Sequence, residues 1–152
     1  MTEAQLVAIW IKRAHRGKMD PTSAAILVEG EGVAGSVGRS RRRQVSLLEE
    51  ESWQRCMQEL NADANPSARR ANLLVRGIRL ANSRGRVLCI GATRLAIGGE
   101  LTPCERMDEA VPGLQQTMRP HWRGGAFAQV LTGGSIRTGD AIRWEDERTS
   151  GE

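Results

Sequence analysis

The chain has 152 residues, a formal net charge of +4 at pH 7 and an aromatic content of only 3%. Its length fits one domain, and no apolar run approaches the roughly 18 residues that a membrane span needs. The three cysteines, Cys56, Cys89 and Cys104, are too few and too widely spaced for a disulfide framework or a zinc site. We therefore expect a cytoplasmic protein with reduced thiols, no signal peptide and no membrane contact.

The cations are almost all arginine, since Lys12 and Lys18 are the only lysines. The planar guanidinium fork suits phosphate and carboxylate, so this bias is compatible with an anionic ligand. A GC-rich genome would produce the same bias, and composition alone therefore decides nothing. The segment after Trp144 is charged and lacks periodicity, so we expect one domain over residues 1–146 and a disordered tail over residues 147–152.

Short apolar runs with β-branched or alternating character recur along the chain and predict strands. They lie at residues 6–11, 25–28, 45–48, 73–75, 87–90, 93–97, 127–131 and 141–144. Glycine-rich turns separate many of them. This pattern is typical of a mainly β sandwich or barrel, and no helices alternate with the strands as a doubly wound sheet requires.

Two helices and one short turn are also predicted. The first opens on acidic residues 49–51, and Trp53, Met57 and Leu60 then share one face, with Cys56 beside them as a core residue. The second begins at Thr102 and cannot pass residues 112–113, which are Pro-Gly. A helical turn over residues 114–118 follows.

Cys104 is the leading candidate for chemistry. Thr102 could be an N-cap, Pro103 would fill the first helical position, and Glu105 stands where a capping box places its carboxylate. This spacing puts Cys104 in the first turn of a helix, where the backbone favours the thiolate form. The alternative is that Cys104 is a small apolar residue at a helix start.

Two arginine clusters are candidate anion sites. Arg39, Arg41, Arg42 and Arg43 follow a glycine-rich stretch, where they could clamp a phosphate or form an ordinary solvated loop. Arg70 and Asn72 stand two residues apart at a strand start, so both could address one polar ligand, although a strand-entry turn would use the same residues. No metalloprotease, P-loop or dinucleotide-binding motif occurs.

Taken in order, several segments from about residue 30 to residue 144 resemble the MOSC domain, the module found at the C-terminus of molybdenum cofactor sulfurases. The first segments that carry the resemblance are RQVSLL at 43–48, before a helix containing Trp53, and RANL at 70–73, leading to Gly77-Ile78. Gly85 and Gly91 then flank an apolar strand, and Pro103-Cys104 follows. The last segment is Val130-Leu131, which leads to GSI at 134–136 and Gly139-Asp140. The resemblance implies a mainly β, MOSC-type β-barrel with two or three short peripheral helices.

The resemblance also implies site residues. Cys104 matches the reactive cysteine of the family, which carries sulfur as a persulfide or ligates molybdenum in the molybdopterin cofactor. Arg70 and Asn72 match residues near that cofactor, with the arginine facing its phosphate, and Arg43 is a further match. One departure is the stretch 35–38, where Gly-Ser-Val-Gly replaces a Gly-Asp-x-His pattern that family members often have.

The leading hypothesis is therefore a molybdenum-cofactor-binding or sulfur-carrier module, either a sulfurtransferase or a molybdenum-dependent oxidoreductase that reduces N-hydroxylated compounds. A cysteine desulfurase or a molybdoenzyme would be its sulfur donor or acceptor, and pyridoxal phosphate is not expected on this chain. The alternatives are a partner or regulatory domain that keeps the fold without the activity and, ranked lower, a nucleic-acid-binding β-barrel. The near absence of aromatic rings for base stacking weighs against the last of these.

Overall fold

A computed structural model describes residues 3–146. The predicted disordered tail at 147–152 lies outside the described residues. The strands in chain order are β1 Gln5–Lys12, β2 Met19–Thr22, β3 Ala24–Val28, β4 Gly32–Val33, β5 Val45–Glu49, β6 Leu73–Arg76, β7 Val87–Ile90, β8 Thr93–Glu100, β9 Ala126–Thr132, β10 Gly134–Arg137 and β11 Ile142–Trp144. The helices are α1 Glu50–Leu60, α2 Arg106–Ala110 and α3 Leu114–Thr117, with 3₁₀ turns at Pro66–Arg69 and Pro120–Trp122.

The strands form two sheets. The larger has eight strands in the order β11-β7-β8-β9-β5-β6-β1-β2, and the smaller has three in the order β10-β3-β4. Neighbouring strands in both sheets pair antiparallel except β5 and β6, which are parallel. A parallel pair needs a crossover connection, and α1 is part of that crossover.

The prediction of a mainly β fold with short peripheral helices is confirmed, but the predicted closed barrel is wrong. Within residues 3–146, the ends of the large sheet meet only near Gln5, which forms an isolated bridge to Ala141. The amide of Leu6 donates to the carbonyl of Asp140 at 2.9 Å beside this bridge. Because β11 has only three residues and pairs with β7, no continuous ladder forms between β1 and β11.

Alternation along the strands builds two hydrophobic cores, because successive side chains point to opposite faces of a sheet. Ile9, Leu47 and Leu73 face the first core, which the small sheet helps to cover. The residues that follow them, Trp10, Leu48 and Leu74, face the second core under the three helices. The functional residues described below lie where the helices stop covering this outer face.

The predicted helix around Trp53 is confirmed as α1, and Cys56 is fully buried in the second core as expected. The helical turn predicted at 114–118 is confirmed as α3. Three short strands were not predicted. β2 contains Pro21, which sheets tolerate at an edge, and glycines begin both β4 and β10. No helix within residues 3–146 is long and apolar enough to span a membrane.

Gly125, directly before β9, lies very close to the backbone of β5. Its φ is +106°, and a Cβ there would collide with the carbonyl oxygen of Leu47. Gly139 has a similar φ of +96° but no heavy atom within 4 Å of its Cβ position. We expect Gly139→Ala to lower the free energy of unfolding by about 1–2 kcal/mol through backbone strain alone.

Gly125→Ala should cost about 2–5 kcal/mol, because overpacking adds about 1–3 kcal/mol to the same strain. Urea unfolding of both variants, compared at equal m-values, measures the difference. Equal losses in the two variants would contradict the close approach of Gly125 to β5.

Candidate functional site

Cys104 lies in the loop that joins β8 to α2, and its side chain is exposed. The prediction that a helix begins at Thr102 is wrong, since α2 begins at Arg106 and has no side-chain cap. The amide of Met107 instead donates to the carbonyl of Cys104 at 2.9 Å, which closes a tight turn. Pro103 is buried and packs against Gly124. Tertiary contacts, rather than a helix start, therefore position the thiol.

The other two cysteines are buried. Burial raises the pKa of the Cys56 thiol, which further disfavours its reactive form. All three cysteines lie within residues 3–146, so Cys104 is the one thiol of the chain that reagents in solution can reach.

The guanidinium of Arg69 holds the Cys104 loop in place. It is buried, with 7% of the residue exposed, and Nε donates to the carbonyl of Gly124 at 2.7 Å. Nη2 donates to the carbonyl of Leu101 at 3.0 Å, and Nη1 contacts the sulfur of Met107 at 3.7 Å. Arg69 therefore fixes the chain on both sides of Cys104.

This cation has no carboxylate partner within residues 3–146. Burial lowers the pKa of the Arg69 guanidinium to about 10, and the charge of Cys104 acts in the opposite direction. Arg69 stays protonated at neutral pH, and an anion at Cys104 would offset part of its desolvation penalty.

Arg70 follows directly and behaves differently. It caps the 3₁₀ turn in the left-handed region, with φ 66° and ψ 31°. Its Nη2 is buried and has no hydrogen-bond partner among residues 3–146. A buried donor without a partner is costly, and an added acceptor would remove that cost.

Two more cations share this region. The pKa of the Lys12 ammonium is held below its ordinary value. Burial is the largest cause, and the positive charges of Arg70 and Arg106 add to it. Arg106 is only two residues from Cys104 in sequence. The positive charges of Arg70 and Arg106 therefore act on the ammonium of Lys12, and we call these three residues the cation cluster.

Asn72 lies beneath the cation cluster rather than at its surface, with 7% of the residue exposed. Its Nδ2 donates to the carbonyl of Trp10 at 3.2 Å and to Oγ of Ser36 at 3.1 Å. Its Oδ1 accepts from the amide and the hydroxyl of Ser46, both at 3.2 Å. The amide therefore joins β1, β5 and the loop that contains Ser36, and it supports the neighbouring Arg70.

Arg43 lies farther along the sheet. Its guanidinium carbon is 4.9 Å from the centre of the Phe127 ring, and that of Arg42 is 5.9 Å from the same centre. Phe127 pairs with Ser46 across β9 and β5, and Ser46 contacts Asn72. The structure thus places Arg43 on the same sheet face as Asn72, separated from it by these strands.

The sequence predicted Cys104 and Arg70 as site residues, which stays a prediction, and assigned no role to Arg69, Lys12 or Arg106. Arg69 was visible as the neighbour of Arg70, although the sequence does not show which arginine turns inward. Lys12 had one signal, because it is a rare lysine at the end of an apolar strand. Residues 3–146 contain no group of three or more His, Cys, Asp or Glu side chains suited to a metal ion. A metal at Cys104 would therefore need ligands other than these side chains.

The structure thus presents a mainly β fold with one solvent-accessible thiol, on a loop that a buried arginine holds in place. The sequence profile of the MOSC domain matches residues 15–143, and the chain belongs to the MOSC domain family. This family is associated with molybdenum cofactor binding and sulfurase-like roles. No curated protein sequence matches the chain.

Solved structures share the fold. The YuaD protein from Bacillus subtilis superposes with a TM-score of 0.80 at 19% identity, covering 93% of this chain and 94% of that one. YiiM from Escherichia coli gives a TM-score of 0.70 at 14% identity, covering 96% of this chain and 72% of that one. YiiM from Geobacillus stearothermophilus gives 0.70 at 14% identity, covering 97% and 77%.

The difference in exposure among the cysteines predicts selective alkylation. Iodoacetamide should modify the native protein once, at Cys104, and the unfolded protein three times. Cys104→Ser should remove the native reaction and leave two sites in denaturant. Intact mass spectrometry with peptide mapping checks this result, and rapid native alkylation of Cys56 or Cys89 would contradict the burial of those thiols.

Arg69 and Arg70 form a matched pair for a stability test. Arg69→Met should lower the free energy of unfolding by about 2–4 kcal/mol, because it removes charged hydrogen bonds to two carbonyls. Arg70→Met should change stability by less than about 1 kcal/mol, because Nη2 has no partner to lose. Urea denaturation compares the two, and a larger loss in Arg70→Met would reverse the roles assigned here.

Proposed function

We propose that this chain uses Cys104 to hold molybdenum cofactor or sulfur, with Arg70 binding an anionic group of the ligand. The observation that carries the proposal is the buried, unpartnered Nη2 of Arg70 in a cation cluster beside a reachable thiol. An anionic ligand would satisfy the orphan donor and offset the repulsion among the three cations.

The residues present fit the molybdenum cofactor. Arg70, Lys12 and Arg106 would hold its phosphate, and the sulfur of Cys104 is a soft ligand suited to molybdenum. When bound, the cofactor would supply a redox-active metal for reducing a substrate such as an N-hydroxylated compound. Asn72 would act from below by keeping Arg70 in position, and Arg69 would hold the Cys104 loop.

The sulfur-carrier version uses the same thiol. The thiolate of Cys104 would attack the outer sulfur of a persulfide on a cysteine desulfurase. A new S–S bond forms on Cys104, the S–S bond of the donor breaks, and the donor cysteine leaves as a thiolate. The sulfane sulfur would then pass to a cysteine thiolate of a molybdoenzyme by the same exchange, in which Cys104 leaves as a thiolate.

A second candidate is a partner or regulatory domain that has lost activity. It is supported by the stretch 35–38, where Ser36 stands in place of an acidic residue. Ser36 is buried, and its hydroxyl accepts from the amide of Lys12 at 3.1 Å and from Asn72. In this chain the stretch therefore serves the fold. Nucleic-acid binding gains no support, since Phe127, Trp10, Trp53 and Trp144 are buried and Trp122 is partly buried against the first core.

The test is to purify the protein from a host that makes molybdenum cofactor and to measure metal, pterin and sulfane sulfur. We expect molybdenum with pterin, or one sulfane sulfur after exposure to a cysteine desulfurase. Cys104→Ser should abolish the metal or the sulfur. Arg70→Gln should weaken pterin retention about tenfold or more, because it removes a charged hydrogen-bond donor.

Arg79→Gln is a charge-matched control, because Arg79 is exposed and lies beyond the opposite end of β6. It should retain metal, pterin and sulfur at the wild-type level. A wild-type protein with neither metal nor sulfane sulfur would overturn both active versions and leave the regulatory domain. Retention that is unchanged in Cys104→Ser would remove the thiol from the proposal.

A further inference from the structure

One row of residues crosses three neighbouring strands on the outer face of the large sheet and ends at Asn72, directly before β6. Ser46 of β5 pairs with Phe127 of β9, and Phe127 pairs with Gly99 of β8. On the other side, the amide of Asn72 donates to the carbonyl and the hydroxyl of Ser46, both at 3.0 Å. We call this set the Asn72–Gly99 row. Its three interstrand steps span about 14 Å.

The Asn72 end of the row carries the cation cluster. Arg70 stands two residues before Asn72, and Asn72 bonds to the same Ser36 hydroxyl that accepts from the amide of Lys12. The unpartnered Nη2 of Arg70 marks this end as a position for an anionic group.

The far end of the row carries three more arginines, two over the Phe127 ring and one beside Gly99. Arg42 and Arg43 lie over Phe127, and Nη2 of Arg84 lies 3.2 Å from the position a Cβ on Gly99 would take. Phe127 is only 6% exposed. We call Arg42, Arg43 and Arg84 the arginine platform.

The arginine platform has no internal counterion. Across the described part of the chain, no carboxylate pairs with any of its three guanidiniums. Stacking on a ring leaves the edge N–H donors of a guanidinium free. The like charges of Arg42 and Arg43 over one ring repel each other, and an anion between them would offset that repulsion.

Two features of the chain fix the geometry of the arginine platform. A Cβ on Gly98 would come within 2.6 Å of Cε1 of Phe127, so glycine there makes the seat for the ring. The loop that carries Arg42 and Arg43 is closed by two hydrogen bonds, from the amide of Ser40 to the carbonyl of Arg43 and from the amide of Arg43 to Oγ of Ser40, both at 3.1 Å.

We infer that the Asn72–Gly99 row binds an elongated ligand with an anionic group at each end, one at Arg70 and one on the arginine platform. The inference deepens the proposed function and rests on it, because it assigns a second anionic group to the ligand of that same site. The two cationic ends lie about 10–14 Å apart, two to three strand spacings along the row. The chemistry required is a phosphate-like or carboxylate group at that separation from the first.

The test uses alkane bisphosphonates, which keep the charge at each end constant while the spacing changes. Propane-1,3-bisphosphonate is too short to reach both ends, and decane-1,10-bisphosphonate is long enough. Decylphosphonate has the same chain and one anionic group. We expect the long bisphosphonate to bind about tenfold or more tighter than either of the others, because the second contact becomes intramolecular. Isothermal titration calorimetry on the purified wild-type protein measures the three affinities.

Arg42→Gln/Arg43→Gln/Arg84→Gln should reduce the long bisphosphonate to the affinity of decylphosphonate and leave decylphosphonate binding unchanged. Arg79→Gln/Arg137→Gln/Arg143→Gln removes three exposed arginines from outside the row and should keep the preference. Arg84→Gln alone should lose part of the preference for the long bisphosphonate. The Arg84 side chain makes no hydrogen bond within residues 3–146, so its loss should not unfold the protein. Thermal unfolding of every variant checks that the fold is intact.

A wild-type protein without a length preference, or equal losses in the two triple variants, would overturn the inference. These outcomes are distinct from failure of the proposed function, which is read from metal, pterin and sulfane sulfur. Length-selective binding in a protein that never acquires metal or sulfur would keep the two-ended row and refute the proposed cofactor role. Metal loading without a preference for the long bisphosphonate would support the cofactor role and refute the two-ended row.

Discussion

One buried guanidinium determines where the thiol of this protein lies. Arg69 donates to carbonyls of Leu101 and Gly124 and touches the sulfur of Met107. These contacts tie the loop of Cys104 to the turn before β6 and to the turn before β9. A cation is an expensive group to bury without a carboxylate, and it persists here because backbone carbonyls take up its donors. The exposed thiol therefore sits on a loop whose two flanks are fixed to the sheet.

Two adjacent arginines, Arg69 and Arg70, have different surroundings. Arg69 turns inward and is saturated by protein atoms, whereas Arg70 adopts a left-handed backbone conformation and keeps an unpartnered donor. Asn72 then repeats the inward role, since its amide bonds only to β1, β5 and the Ser36 loop. Side chains that alternate between holding the fold and facing a ligand are expected where a turn enters a strand.

The apolar runs of the sequence predicted eight of the strands and α1, because alternation and helical periodicity are local signals. The closed barrel was not predictable in the same way, since closure depends on whether residue 5 and residue 141 extend into a ladder, and they form a single bridge. The helix start at Thr102 failed for a related reason. The capping pattern was present, but burial of Pro103 against Gly124 holds the chain outside the helix until Arg106. The inward turn of Arg69 likewise depends on partners far away in sequence.

The strand order has a consequence for how this protein matures. The Asn72–Gly99 row takes one residue each from positions 46, 72, 99 and 127. Within the large sheet, β5 lies between β6 and β9. A nascent chain that has emerged only as far as α3 lacks β9, so β5 still has an unpaired edge and Phe127 is missing. Contacts this distant in sequence form late and slowly. The Asn72–Gly99 row is therefore complete only once the chain has been made as far as Phe127.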